Sequence, residues 1–79
     1  MFSKELFGSR LLEIRKLNHE TQTVLGDAIG VTKTRISEME HGKQTTTAEK
    51  IALICEHYHI SSDYLLGLSD DPNPRSRQP

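Results

Sequence analysis

Lys33, Thr34, Ser37 and Glu38 fall on one side of a short helical pattern whose other side carries Ile36 and Met39. One face belongs to a core, while the other holds a cation, two hydroxyls and a carboxylate free for a partner. Such a polar face can serve a partner only if the helix bearing it stands clear of the domain. The preceding residues supply that posture. From Thr21 to Gly42 the chain reads TQTVLGDAIGVTKTRISEMEHG, two short amphipathic helices so close around Gly30 that they must cross as a helix-turn-helix. Val24, Leu25, Ala28 and Ile29 have the apolar spacing of the first, and Thr21 can cap its start with a hydroxyl oxygen. Gly30 ends it, because glycine reaches left-handed backbone angles without a Cβ clash. Val31 plugs the corner and Thr32 is a second N-cap. At Gly26, one turn before the corner, a side chain larger than alanine's is expected to push the helices apart. The arrangement points to DNA.

Other chemistry is poorly served. Cys55 and His59 are four apart and share a helical face with His57 nearby, but a structural zinc site wants four ligands and no second pair has suitable spacing. No metal is expected, and Cys55 reads as a small core residue. His41 and His57 are expected in solvent, with His41 near a phosphate. The chain lacks a glycine-rich phosphate cradle, a metal-binding helix pair and a nucleophile elbow. Neither an enzyme nor a cofactor or small-molecule ligand is expected of a domain with so little room for a closed pocket.

The chain has 79 residues, one cysteine and no tryptophan, so a single small domain must build its core from helix packing. A lone cysteine excludes an intrachain disulfide framework, no apolar run approaches a membrane span, and MFSKELFG lacks the apolar segment of a secretory signal. The expected compartment is the cytoplasm. The net charge of −1 runs against nucleic acid, since phosphate binding rests on Lys and Arg. Locally the balance differs. From Arg10 to Lys43 there are six basic residues (Arg10, Arg15, Lys16, Lys33, Arg35, Lys43) and five acidic ones (Glu13, Glu20, Asp27, Glu38, Glu40), which leaves +1. Non-specific affinity should be modest and strongly salt-dependent.

Three more helices surround the pair. Phe7, Leu11, Ile14 and Leu17 recur at helical spacing from a Ser3 cap, with Asn18 and His19 ending the run. After Gly42 comes a polar loop. Thr46 and Glu49 have capping-box spacing, and Ile51, Ile54, Cys55 and Tyr58 mark the buried side of a fourth helix. A very short fifth helix fits Ser61 to Leu66, with Ser61 as cap, Asp63 at its positive end and Gly67 as stop. The reading is an all-α, compact five-helix domain over residues 1–68. Residues 69–79, SDDPNPRSRQP, are expected to form a disordered tail.

From about Phe7 to Gly67 the chain resembles the phage-repressor, or Xre/Cro-type, helix-turn-helix family. RLLEIR, the Thr21-Gln22 opening, Gly26, the IGVTKTRIS corner, MEHGK and ISSDYLLG carry the likeness, in the family's order. The resemblance implies a lambda-repressor-like bundle whose second motif helix enters the major groove of double-stranded DNA. It places Lys33 and Thr34 at base-contact positions, with Ser37 and Glu38 one turn on. Lysine can donate to guanine O6 and N7, and threonine can offer its hydroxyl or its methyl. Glu38 can accept from cytosine N4, or act by exclusion, or remain a solvated acid. Thr21, Gln22, Thr32, Arg35 and Lys43 fall to phosphate contact. Arg15 and Glu40 match a partly buried ion pair joining the first helix to the end of the recognition helix.

Three residues depart from the family pattern. Glu20 stands where a buried aliphatic residue is usual, with Leu17 expected to fill the gap. His19 and His59 occupy places where glycine is common.

The implied function is a transcriptional regulator, expected to repress by occupying an operator. One recognition helix covers few base pairs, so a homodimer is expected on a two-fold site with half-sites roughly 34 Å apart or a multiple of that. Leu53, Leu65, Leu66 and Leu68 are the residues expected to form its interface. The alternative is a protein-binding module on the same fold, such as an antitoxin or an antirepressor-like partner subunit. Slight net acidity and Glu38 favour it; Lys33, Thr34, Arg35 and Lys43 on one surface favour DNA.

Overall fold

The computed structural model describes residues 1–74, in which five helices follow one another: α1 (Lys4–Leu17), α2 (Gln22–Ile29), α3 (Lys33–Glu40), α4 (Ala48–Tyr58) and α5 (Ser62–Leu65). A hydroxyl residue starts each one. Ser3, Thr21, Thr32, Thr47 and Ser61 hold extended backbone angles while their side chains accept from amides two or three residues on, satisfying donors that the first turn leaves open. The fourth cap differs by one position from the expected Thr46. Thr47 accepts from the Lys50 amide at 3.2 Å, and a lysine there cannot return the bond, so no capping box forms.

Phe7, Leu11, Leu25, Ile29, Ile36, Met39, Ile54 and Leu65 are fully buried, with Ile14, Tyr58, Ile60 and Tyr64 at the margin. α1 packs across α3, α3 across α2, and α4 with α5 closes the other side. The apolar stripe of α2 is narrower than its sequence spacing suggested. Leu25, Gly26 and Ile29 face inward, whereas Val24 is 46% exposed and Ala28 is exposed, because eight residues offer only two turns to the core.

Two glycines permit the tight assembly. A Cβ on Gly26 would stand 2.6 Å from the Val31 carbonyl oxygen, so even alanine's methyl is too large there, a tighter limit than the spacing predicted. A Cβ on Gly8 would collide with the Met39 carbonyl oxygen and reach 2.9 Å from that of Glu40, where α1 rides over the end of α3.

Leu17 does not fill the place of the missing aliphatic residue; it is 67% exposed. Glu20 fills that place itself, as a half-buried carboxylate that accepts from Tyr58 Oη at 2.8 Å and meets His57 Nε2 at 2.9 and 3.0 Å. His19 and His59 both take left-handed angles, φ 57° and 55°. The segment after Leu68 also differs from a loose tail as far as it is described. Arg10 Nη1 donates to the carbonyls of Tyr64 and Ser69, Nη2 reaches Asp70 at 2.9 Å, and the Pro72 carbonyl accepts from the Ser61 amide at 2.9 Å. Backbone carbonyls at Ser69 and Pro72 need no apolar side chain to be held, which is why composition hid them. The rest of the tail, residues 75–79, lies outside the described residues.

Candidate nucleic-acid interface

α2 and α3 meet through a corner set by Gly30, whose φ of 78° is left-handed. Its amide and that of Val31 both donate to the Gly26 carbonyl, at 2.8 and 2.9 Å, so the chain reverses within two residues. Lys50 Nζ lies 3.2 Å from where a Gly30 Cβ would stand, which places an ammonium at the negative end of α2. Thr32 then accepts from the Arg35 amide at 3.1 Å and launches α3.

α3 is anchored on one face only. Ile36 and Met39 are fully buried, whereas Lys33, Thr34 and Arg35 are exposed and Ser37 and Glu38 are half-buried. The structure therefore brings Lys33, Thr34, Ser37 and Glu38 onto one outward surface. Arg35 Nη1 stands 4.0 Å from Glu38 Oε1, with both side chains nearly half exposed, a loose pair of small energetic weight. Lys43 is exposed beyond Gly42, whose φ of 74° turns the chain away after α3. His41, at the end of α3, has its Nδ1 2.7 Å from the Ser37 carbonyl oxygen and is exposed.

The anchor is polar. Arg15 Nε donates to Glu40 Oε2 at 2.6 Å and Nη2 to Oε1 at 3.1 Å, with the carboxylate side chain 1% exposed. Arg15 Nη1 continues to the Glu20 carbonyl at 2.7 Å. Glu40 holds the guanidinium charged and raises its pKa above an already high ordinary value, against the opposing effect of burial. The expected ion pair is thus present and reaches further than expected, tying the turn before α2 to the end of α3. Gln22 joins it. Its Nε2 donates to Glu40 Oε1 at 3.0 Å, so this amide, expected at a phosphate, is partly engaged inside the domain. One amide hydrogen and the carbonyl oxygen remain for outside partners. Thr21 and Thr32 spend an oxygen lone pair on capping, at 3.1 Å each, and keep a hydroxyl hydrogen to donate.

Of the residues expected at a dimer interface, Leu65 is corrected: it is fully buried in the monomer core, because α5 is so short that its apolar face must point inward. Leu53 is half-buried against the core, Leu66 half-buried and Leu68 69% exposed. Leu66 lines a groove between α4 and α5 with Ala48, Ile51, Ala52, Cys55 and Ile60. Cys55 is free and half-buried there, its thiol pKa raised by burial and by nearby Glu56.

Sequence reasoning missed Gly8, Arg10 and the role of Glu20. A glycine inside α1 costs helix stability of about 1 kcal/mol, so its presence there was itself a sign of close backbone approach. Nothing in the sequence marked Arg10, whose guanidinium sits 4.2 Å from the Tyr64 ring centroid.

Among solved structures, the chain is similar to the P22 c2 repressor protein crystallised in complex with synthetic operator 9T. That match has 31% identity and a TM-score of 0.74, and covers 77% of this chain and 92% of that one. The clp gene regulator ClgR from Corynebacterium glutamicum gives 27% identity and a TM-score of 0.74, over 80% of this chain and 67% of that one. An uncharacterized HTH-type transcriptional regulator of Bacillus subtilis, YobD, is 31% identical over 70 residues, 89% of this chain; the chain spans 62% of that regulator's length. A family model described as helix-turn-helix matches residues 11–65, which include α2, the corner, α3 and most of the surrounding core. The chain therefore belongs to the helix-turn-helix family of the phage-repressor, Xre-like type.

Proposed function

We propose that this protein is a sequence-specific DNA-binding transcriptional regulator, not an enzyme, and that it represses by occupying its operator. The observation that carries the reading is the one-sided anchoring of α3. Its inner face is locked by core packing and by the Arg15, Glu40 and Gln22 network, while its outer face keeps Lys33, Thr34, Ser37 and Glu38 available. Likeness to a repressor crystallised on operator DNA supports the same use. In this reading Lys33 and Thr34 lead in the major groove and Ser37 and Glu38 follow. Thr21, Gln22 and Thr32 donate to phosphates from the starts of α2 and α3, and Arg35 and Lys43 add charge. Arg35 releases Glu38 when it reaches a phosphate, which frees that carboxylate to accept from cytosine or to repel other bases.

A homodimer is part of the proposal, since one α3 spans few base pairs and a two-fold site doubles the contacts. With Leu65 buried, the groove of Ala48, Ile51, Ala52, Cys55 and Leu66, which Glu56 and Asp63 also line, is its interface, and Leu53 and Leu68 lie outside that lining. The expected setting is the cytoplasm, and no helix among the described residues is long and apolar enough to cross a membrane.

Selection from random duplexes, followed by sedimentation and a salt titration on the best site, tests this reading. A two-fold sequence with half-sites about one helical turn or a multiple apart is expected, bound by two copies with affinity falling steeply in salt. Enrichment of nothing would turn the reading toward a protein-binding module on the same fold.

A further inference from the structure

Glu20 is bonded at both ends. Its carboxylate reaches α4, meeting His57 Nε2 through both oxygens and accepting from Tyr58 Oη. Its carbonyl accepts from Arg15 Nη1, and its amide donates to the Arg15 carbonyl at 3.2 Å. Arg15 in turn grips Glu40 at the end of α3, and Glu40 accepts from Gln22 at the start of α2. One residue of the α1–α2 turn thus stands between a histidine on α4 and the ion pair that sets the pose of α3.

We infer that Glu20, His57 and Tyr58 form a positioning latch that couples the charge of His57 to the placement of α2 and α3, and so to DNA affinity. The coupling to DNA rests on the function proposed above; the coupling to helix placement does not. The groups facing the latch are the Glu20 carboxylate from the turn, Tyr58 from α4, and Arg15 and Glu40 from α1 and α3, whose charges act on the Tyr58 hydroxyl. The imidazole of His57 also lies edge-on to the Tyr58 ring, with centroids 4.7 Å apart. When His57 is protonated, its Nε2–H meets a carboxylate of opposite charge, and Glu20 is held firmly toward α4. Neutral His57 keeps at most a hydrogen bond without the opposite charge on its donor, and the half-buried carboxylate relies more on Tyr58 and on water. Its backbone carbonyl, which Arg15 needs, is then less tightly placed. The latch tightens when His57 takes up a proton while Glu20 remains ionised.

The test follows backbone amide shifts of residues 21–41 against pH in the free protein, with His57→Gln and Glu20→Gln as separate variants. In the native protein these amides are expected to titrate together with the His57 ring. In each folded variant, their movement with that midpoint should vanish. On the selected duplex, native affinity should gain about fivefold or more over the pH span relative to either variant. Amide titrations unchanged in both variants would overturn the latch, as would native α2 and α3 amides that ignore the His57 ring. Failure of the random-duplex selection would remove the DNA reading alone, since the amide titration decides the latch without DNA.

Discussion

Arg15 and Glu40 meet through two parallel hydrogen bonds, 2.6 and 3.1 Å long, across the junction of α1 and the end of α3. A planar guanidinium held at two points fixes direction as well as distance, so α3 cannot swivel about its buried Ile36 and Met39. Losing one partner leaves a charge inside the domain. Glu40→Ala and Arg15→Ala are each expected to lower stability by about 3–5 kcal/mol in urea unfolding, whereas replacing both with apolar residues of similar volume should recover much of the loss.

Gly8 and Gly26 make a second prediction because they reverse an ordinary rule. Glycine to alanine inside an exposed helix stabilises by about 1 kcal/mol. At Gly26 the new methyl meets the Val31 carbonyl oxygen and at Gly8 it meets those of Met39 and Glu40, all backbone atoms that cannot rotate away. Gly8→Ala and Gly26→Ala should therefore each destabilise by about 1–3 kcal/mol, read as a lower denaturation midpoint.

Glu20 predicts a pH dependence. Burial alone would raise its pKa, but the bonds from His57 and Tyr58 and the nearby His57 charge outweigh that and hold it below its ordinary 4.5. A carboxylate depressed in the folded state adds stability above its unfolded pKa and loses it as pH falls through the folded value. Stability of the native chain should thus fall more steeply below about pH 4.5 than that of Glu20→Gln, measured by chemical unfolding at a series of acid pH values.

Legibility in the sequence divides along a physical line. The helices, their hydroxyl caps at Ser3, Thr21, Thr32 and Ser61, and the Gly30 corner could all be read, because caps and periodicity are local properties of the chain. The Arg15 and Glu40 pair came from the family likeness, since nothing within either segment announces a partner 25 residues away. What stayed hidden depends on three-dimensional closeness. Leu65 is buried because α5 docks inward, Glu20 takes an aliphatic place because two α4 side chains can satisfy it, and Ser69 and Pro72 are held through carbonyl groups that every residue possesses. Thr46 and Thr47 show the finer limit: adjacent threonines carry the same capping hydroxyl, and the second is the one used.

Phosphate and base contacts should separate in salt. Lys43→Ala is expected to weaken binding about equally for all duplexes and to reduce the slope of log affinity against log salt by about 0.9, as one released counterion requires. Lys33→Ala, at a position proposed to meet a base edge, should cost about 1–3 kcal/mol on the preferred sequence and much less on others.

The most direct test of the account compares the native chain with the Lys33→Ala, Thr34→Ala double variant in random-duplex selection, with thermal unfolding run on both. Both substitutions lie on the exposed face of α3, so the fold and its melting temperature should be unchanged. The native chain is expected to enrich a defined two-fold sequence and the variant to enrich none. A folded variant that still selects the native sequence would contradict the assignment of α3 as the reading helix.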